Sequence, residues 1–410
     1  MNLDSDLAIE PEREAAMRVV IAGGGVAGAA SAIALARAGA EVTVYEAHED
    51  PAGAVGSFLS LAVNGLRGLA ALGCLAQVQA AGFAVARQRM WAGNGKMLGD
   101  VARGRRPGDC LHSVTLMRAG LVTVLRDAAT RAGASVVTGH PMAGADLRAA
   151  RDDGADLVVG ADGIWSSARR IVDEAAPEPA YAGLYSVSGV SDGLDGTDAP
   201  GAAGPGTWNM IFGRQGAFIY LPAPDGTTWW SAQVSAKVPP EDLTAVGPGE
   251  LAAVFRRERH AVAILRGARS VHAAALHHVL PPVRRWHGGD IVLIGDAAHP
   301  AGAGQGASMA IEDAVELARQ LRGPGTVADA LARFGTARRD RAGKMAKMAA
   351  SNRDAKTAGP VVAALRNLIM PAMFGRFYER ATGWLYDYDP EGHGPEREPT
   401  GPVASRSGPS

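Results

Sequence analysis

The sequence predicts an α/β protein with a parallel sheet, an interleaved and mostly antiparallel sheet, and helices at the C-terminus. Three observations lead there. A short apolar run, RVVIAG (18–23), passes through glycines into VAGAASAIALARAG (26–39) and then EVTVYE (41–46). Strand, helix and strand in such quick succession form a crossover, which requires parallel strands. From about 181 to 240, aromatic and β-branched residues stand between Gly and Pro turns, as in IFGRQGAFIYLPAPDGTTWWSAQV (211–234), the texture of antiparallel strands. DIVLIGD (290–296) then restores the buried-strand signature, so the first sheet resumes late in the chain.

Each further element has its own signal. In NGLRGLAALG (64–73), Leu66, Leu69 and Leu72 share a helical face. Leu121, Leu125 and Ala129 define a helix over 119–132 that stops at Gly133. SVVTGH (135–140) and DLVVGAD (156–162) read as strands returning to the sheet. GQGASMAIEDAVELARQL (304–321) is helical, with Ile311, Ala314, Leu317, Ala318 and Leu321 on one side, and a long helix follows over the charged stretch 326–356. PVVAALRNLIMPAMFG (360–375) reads as a packed amphipathic helix, with a surface or membrane-interface helix as the alternative. The Pro/Gly-rich tail, 389–410, reads as disordered. The expected division is a loose leader (1–17), a cofactor domain in two parts (18–180 and 286–325), a sheet domain for substrate (181–285), a helical region (326–388) and the tail.

Composition narrows the function classes. Of 410 residues, 47% are hydrophobic and 20% charged, and 53 are Gly, as suits a globular protein rich in tight turns. A net charge of −1 supplies no field for a polyanion, and no basic cluster is interleaved with aromatics, so nucleic acid is not an expected partner. Cys74 and Cys110 have no metal-ligand or disulfide-framework spacing, which points to a reducing cytoplasm and no metal. The N-terminal stretch is acidic and lacks the apolar core of a signal peptide. No run reaches the roughly 18 apolar residues of a membrane span.

The chemistry resides in two glycine motifs. GGGVAG (23–28) follows a strand and opens a helix. Gly23 permits the turn, Gly25 lets a pyrophosphate approach, and Gly28 lets helix and strand pack, while Val26 and Ala27 begin a helix whose amides favour an anion. Glu46 ends the second strand, where a carboxylate accepts hydrogen bonds from a ribose. These features describe a Rossmann-like unit and leave FAD and NAD open. A second strand-to-helix glycine loop, IVLIGDAAHPAGAGQGASMAIEDA (291–314), selects the longer ligand, FAD. Asp296 stands where a polyol hydroxyl would bind, and Gly302, Gly304 and Gly306 admit backbone amides close to a flat ring.

Over roughly 18–350 the chain resembles the class A flavoprotein monooxygenases, the para-hydroxybenzoate hydroxylase fold family. The resemblance implies that Gly23, Gly25, Val26, Ala27, Gly28 and Glu46 bind the adenosine diphosphate of FAD. VVGADGIWSSARR (158–170) matches the family's second motif, so Asp162 and Gly163, with Ser166 and Arg169 in register, would serve FAD and NAD(P)H. GDAAHP (295–300) matches the third, so Asp296 would contact the flavin's ribityl chain, with Gly295, Pro300, Gly304, Gln305, Gly306, Ala307 and Ser308 as further cofactor contacts. Arg118 would touch the cofactor, and 53–65, including Ser57, would run past the isoalloxazine. Three departures stand out. Met117 precedes the arginine where relatives often have His, no basic residue soon follows Glu46, and AGAGQGA replaces the usual Pro-rich stretch after His-Pro.

The resemblance further implies an NAD(P)H-dependent monooxygenase that hydroxylates a small aromatic or polycyclic substrate with O2 through a flavin C4a-hydroperoxide. NADPH is the expected donor, with NADH the alternative, and the protein is expected to be a monomer or homodimer. The alternatives are an FAD-dependent epoxidase or reductase of a non-aromatic substrate, a non-catalytic flavin-binding protein, or a plain dehydrogenase. Trp208, Met210, Phe212, Phe218 and Tyr220 are the candidate substrate residues. His112, His260, His272, His277, His278 and Tyr220 are possible bases, and no catalytic residue is assigned. His299, nearest the flavin by motif, is read equally as holding its loop and as moving a proton.

Overall fold

A computed structural model describes residues 16–50, 57–106, 108–193, 205–300, 304–356 and 360–390. The first apolar run forms the strand Arg18–Ala22 at the centre of a six-stranded sheet. Its order is His287–Gly288, Ile291–Leu293, Leu157–Gly160, Arg18–Ala22, Glu41–Tyr45 and Ser135–Val137. All neighbours are parallel except the short first pair. Arg18–Ala22 pairs with Glu41–Tyr45 on one side and Leu157–Gly160 on the other. The strand order reverses at that point, and the reversal opens a crevice beyond the carboxyl ends of the strands. The strands sit between helices, which is why their sequences are nearly continuous apolar runs. Val158, Val159, Ile291, Val292 and Leu293 are all 1% exposed or less.

Two helices position the crevice. Val26–Arg37 lies against Gly306–Leu321, and the second also packs on Val63–Ala71. Small residues allow the last contact: a Cβ on Gly65 would lie 2.6 Å from Ser308 Oγ, and one on Gly68 2.6 Å from Ile311 Cγ2. The helix expected over 119–132 spans Arg118–Arg131, and the long helix spans Val327–Lys356.

The second sheet has seven strands, in the order Ala268–Val279, Ala180–Ser191, Thr228–Ser235, Gly216–Pro222, Thr207–Phe212, Arg87–Ala92 and Met97–Ala102. It is antiparallel except where Thr207–Phe212 meets Arg87–Ala92. The last two strands form a hairpin from far ahead of 181–285, and sequence reasoning assigned no strand there. The signal was present in the Asn94-Gly95 turn, where Gly95 has φ +86°. A three-stranded sheet, Phe58–Leu61, Ser113–Met117 and Phe83–Val85, lies between the two larger ones in the chain order. Leader residues 1–15, tail residues 391–410 and Gly302 lie outside the described residues.

One face of the seven-stranded sheet is covered by the helices Pro248–Val254 and Arg259–Arg266, with Phe218, Tyr220, Trp230 and Phe255 at the centre of that core. The other face carries Trp208, Met210, Ile219, Leu221 and Trp229 and meets Phe58 and Phe83. Ser57 ties that face to the cofactor side: its Oγ donates to Ser188 Oγ at 2.9 Å, which donates to Ser231 Oγ at 2.9 Å. The C-terminal helix, Pro360–Thr382, packs Met370 and Phe374 over Met90, Leu98 and Phe212. Among the described residues no helix is long and apolar enough to cross a membrane.

Candidate functional site

Three loops from distant parts of the sequence meet at the carboxyl ends of adjacent strands. Gly23 N donates to Tyr45 O at 2.7 Å, Ala161 N to Ala22 O at 2.8 Å, and Ile294 N to Gly160 O at 3.1 Å, so the strand ends are level. Gly23 has φ +101°, and a Cβ on it would lie 2.4 Å from Ala161 O, so the second motif crosses directly over the first. A Cβ on Gly28 would lie 1.8 Å from Gly23 O, so only glycine lets the helix start this close to the strand. Gly295, at φ +57°, is held against Ala27, where a Cβ would meet the alanine's own at 2.9 Å.

The helix that begins at Val26 has no side-chain cap and no acid in its first turn. Its leading N–H groups are therefore available to an anion and sit at the positive end of the helix dipole. Over them stands a cation: a Cβ on Gly25 would be 3.8 Å from Arg118 Nη2, and Arg118 is exposed to solvent. Arg118 is fixed from behind by its own amide, which donates to Ser57 O at 3.2 Å.

Glu46 is 7% exposed and accepts hydrogen bonds from Gly24 N at 2.8 Å and from His48 N at 2.9 Å. Burial pushes its carboxyl up, but these donors and the His48 ring outweigh that and hold it below the usual carboxylate range. The acid is thus ionised and oriented, with lone pairs left for a vicinal diol.

Asp162 and Arg169 join the second motif to the third. Asp162 Oδ2 caps the helix Ser167–Val172, accepting from Ser167 N at 2.7 Å and Ala168 N at 3.0 Å, while its buried Oδ1 accepts nothing. Arg169, 3% exposed, donates to Ala297 O at 3.1 Å and Ile164 O at 2.7 Å. Gly163 supplies φ +75° between them.

In the third motif the strand Ile291–Leu293 ends in a single 3-10 turn, Gly295–Ala297, which leaves Asp296 exposed on the crevice side of the sheet. Beneath the turn lies a buried ionic network that sequence reasoning missed. Gly295 N donates to Asp313 Oδ2 at 2.9 Å, and His299 Nε2 meets the same oxygen at 2.6 Å. Arg338 bridges Asp313 at 2.7 Å and Glu312 at 2.6 Å, and Arg341 adds a second bond to Glu312 at 2.7 Å. Burial raises the Asp313 carboxyl, yet His299 and Arg338 overcome it and hold the group at about 2. His299 therefore anchors the loop, with its ring 5.0 Å from that of Trp286.

The expected residues after the turn separate. Pro300 and Gly304 reach a cavity described below, while Gln305 is buried and accepts from Asn64 Nδ2 at 3.3 Å. Gly306 and Ala307 open the helix Gly306–Leu321 and are half-buried. Ser308 is wholly buried and faces Gly65, away from the loop.

A cavity of about 730 Å3 adjoins the third motif, a volume suited to a small organic ligand. Its walls come from Ala298 to Pro300, from Leu184, Gln233 and His277 of the seven-stranded sheet, and from the long helix between Arg339 and Arg353. The buried Gln233 Oε1 accepts no hydrogen bond from the protein. His277 Nε2 lies 3.0 Å from Ser186 Oγ, and His278 stands against Trp165 of the second motif with ring centroids 5.0 Å apart. His112, His260 and His272 do not line the cavity.

The aromatic candidates divide by strand alternation. Met210 pairs with Ile219 and Ile211 with Phe218, so successive residues point to opposite faces. Trp208, Met210 and Phe212 lie on the face that bears Gln233. Phe218 and Tyr220 face the other way and pack on Trp230 and Phe255. Burial pushes the Tyr220 hydroxyl well above its ordinary range, as expected of a core phenol. Among the described residues no three His, Cys, Asp or Glu side chains are grouped to hold a metal.

Residues 16–349 match the family described as FAD binding domain. The chain is 30% identical over 347 residues to the aurachin C monooxygenase/isomerase of Stigmatella aurantiaca, covering 80% of this chain and 86% of that protein. It is also 30% identical over 354 residues to the 3-amino-4-hydroxybenzoate 2-monooxygenase of Streptomyces cremeus, covering 81% and 86%. Among solved structures, HpxO of Klebsiella pneumoniae in complex with FAD and uric acid superposes with a TM-score of 0.74 at 21% identity, covering 91% of this chain and 96% of that one.

Proposed function

The chain belongs to the class A FAD-dependent monooxygenases, and from that membership we propose how its own residues hold the cofactor and an aromatic substrate. It is a flavoprotein oxidoreductase of the aromatic-hydroxylase type, served by NAD(P)H as this family typically is. When bound, FAD supplies the activation of oxygen that no side chain can supply. The residues present fit that group. The uncapped helix at Val26 with Arg118 above Gly25 suits a pyrophosphate, and the ionised Glu46 suits a ribose. This cradle is the observation that carries the reading.

Gly23, Gly25, Val26, Ala27 and Gly28 hold the diphosphate, with Arg118 as its counter-charge. Asp296, exposed at the strand end, accepts from the ribityl hydroxyls, and the amides leading into Gly306 favour negative charge on a reduced ring. Asp162 and Arg169 act by fixing the second motif against the third. Ser57 orients Arg118 and couples it to the sheet. Gln305 and Ser308 support the loop from its buried side.

The substrate occupies the 730 Å3 cavity beside Pro300, with Gln233 Oε1 accepting a hydrogen bond from its ring hydroxyl or amine. Trp208, Met210 and Phe212 share the sheet face of Gln233 but do not line this cavity, and Phe218 and Tyr220 belong to the core on the other face. The reading extends to a monomer or homodimer in a reducing cytoplasm.

The test compares two variants by visible spectrum and by steady-state oxygen uptake with NADPH and a panel of aromatics. Asp296→Ala is expected to purify with little bound FAD, whereas Gln233→Leu keeps its FAD and raises KM about tenfold, the loss of one buried hydrogen bond. Full FAD occupancy at normal affinity in the first variant, or an unchanged KM in the second, overturns the corresponding role.

A further inference from the structure

The helix Pro360–Thr382 uses one side to pack and leaves another uncovered. Met370 and Phe374 close over the seven-stranded sheet, and a Cβ on Gly99 would lie 2.6 Å from the Phe374 ring. On the far side Val362, Leu365, Leu368 and Ile369 are 59%, 54%, 72% and 42% exposed, and Phe377 is 50% exposed. Val362, Leu365 and Ile369 follow the three-then-four spacing of a single stripe, with Leu368 beside it. Five of the ten large apolar side chains exposed among the described residues belong to this one helix. Scattered exposed leucines need no explanation, but a stripe of this kind does.

Charge is gathered in the same stretch of sequence. Residues 344–382 hold seven basic residues against two acidic ones, a net of +5 in a chain whose total is −1. The chain has only five lysines, and Lys344, Lys347 and Lys356 fall within this stretch. Lys344 and Lys347 are exposed on the half of the long helix that walls the cavity.

These two features choose the occupant. A second copy of the chain would set one +5 segment against another. The C-terminal tail, 391–410, is polar and Pro/Gly-rich and has no apolar run to lay on the stripe. A lipid surface bearing phosphates meets both needs, because the stripe enters the acyl boundary while the basic groups remain at headgroup level. We propose that Pro360–Thr382 docks this protein on an anionic membrane surface, lying along it rather than crossing it. The cavity wall formed by Arg339 to Arg353 immediately precedes the docking helix in the chain, which puts the cavity close to the bilayer.

Flotation of the full FAD-loaded chain with phosphatidylcholine vesicles, with and without phosphatidylglycerol, tests this. The protein is expected to float with the anionic vesicles and to be released by high salt. Leu365→Asp/Leu368→Asp changes only exposed side chains, so FAD content and circular dichroism should hold while the bound fraction falls about tenfold or more. Lys344→Gln/Lys347→Gln should weaken binding to anionic vesicles alone. A protein that stays down with both vesicles overturns the proposal. So does a dimer in sedimentation that the Leu365/Leu368 variant splits, since a second copy would then cover the stripe.

Discussion

On the proposed reading Gly28 and Arg118 would serve the same phosphate by different means, and substitution separates them. A methyl at Gly28 would sit 1.8 Å from Gly23 O and 3.2 Å from Ile21 Cγ2, so Gly28→Ala must push the helix off the strand. Its expected result is poor folding with no flavin. Arg118→Ala removes only an exposed side chain, so circular dichroism should be unchanged while the dissociation constant for FAD rises about tenfold to a hundredfold, the worth of a hydrogen bond to a charged group. Fluorescence titration with FAD reads both, and an Arg118→Ala protein of normal affinity would remove the arginine from the cradle. At this scale glycines are the most legible residues, because a backbone contact forbids any alternative. Polar residues are less so. Asp162 sits in a recognisable motif, yet its visible work is to cap a helix, and Ser308 follows the glycine loop yet faces Gly65. Side-chain direction depends on packing that spacing does not encode.

The glycine loop of the third motif rests on two helices tied by Arg338. Removing one partner of a buried ion pair strands the other charges, so Arg338→Met should destabilise the protein by about 3–5 kcal/mol, measured by urea denaturation. The same network sets an acid limit. Asp313 has a folded value of about 2 against an ordinary 3.8, so its ion pairs contribute fully above 3.8 and are lost as pH falls through about 2. FAD release and unfolding should therefore rise together over that interval, and a transition confined to higher pH would point to other carboxylates. Sequence periodicity located these helices to within a residue or two, because apolar faces repeat every three or four positions. It could not pair Glu312 and Asp313 with Arg338, which lies 25 residues beyond Asp313. It also missed the strand Ala268–Val279, an edge strand of mixed exposure without apolar alternation. The hairpin Arg87–Ala102 is legible only in its Asn94-Gly95 turn.

At the scale of the whole molecule, the proposed reading has a single ligand bridge the loop at 23–28 and the strand end at 295–300, which 162–169 holds together. Binding to the folded state alone stabilises it by mass action, about 4 kcal/mol at a thousand times the dissociation constant. A calorimetric scan is thus expected to show the main transition of the apoprotein moving up with added FAD, and a melting point indifferent to FAD would contradict the bridging arrangement. The hairpin bears on how such a chain is made. Arg87–Ala92 is complete long before Thr207–Phe212, its parallel neighbour, has been translated. At ribosomal rates of about 5–20 residues per second, the interval is on the order of 5–20 s. Throughout it Trp91 and Met90 stand at an unpaired edge on a nascent chain, so chaperone supply during translation, more than the stability of the finished fold, should govern how much soluble enzyme a host yields.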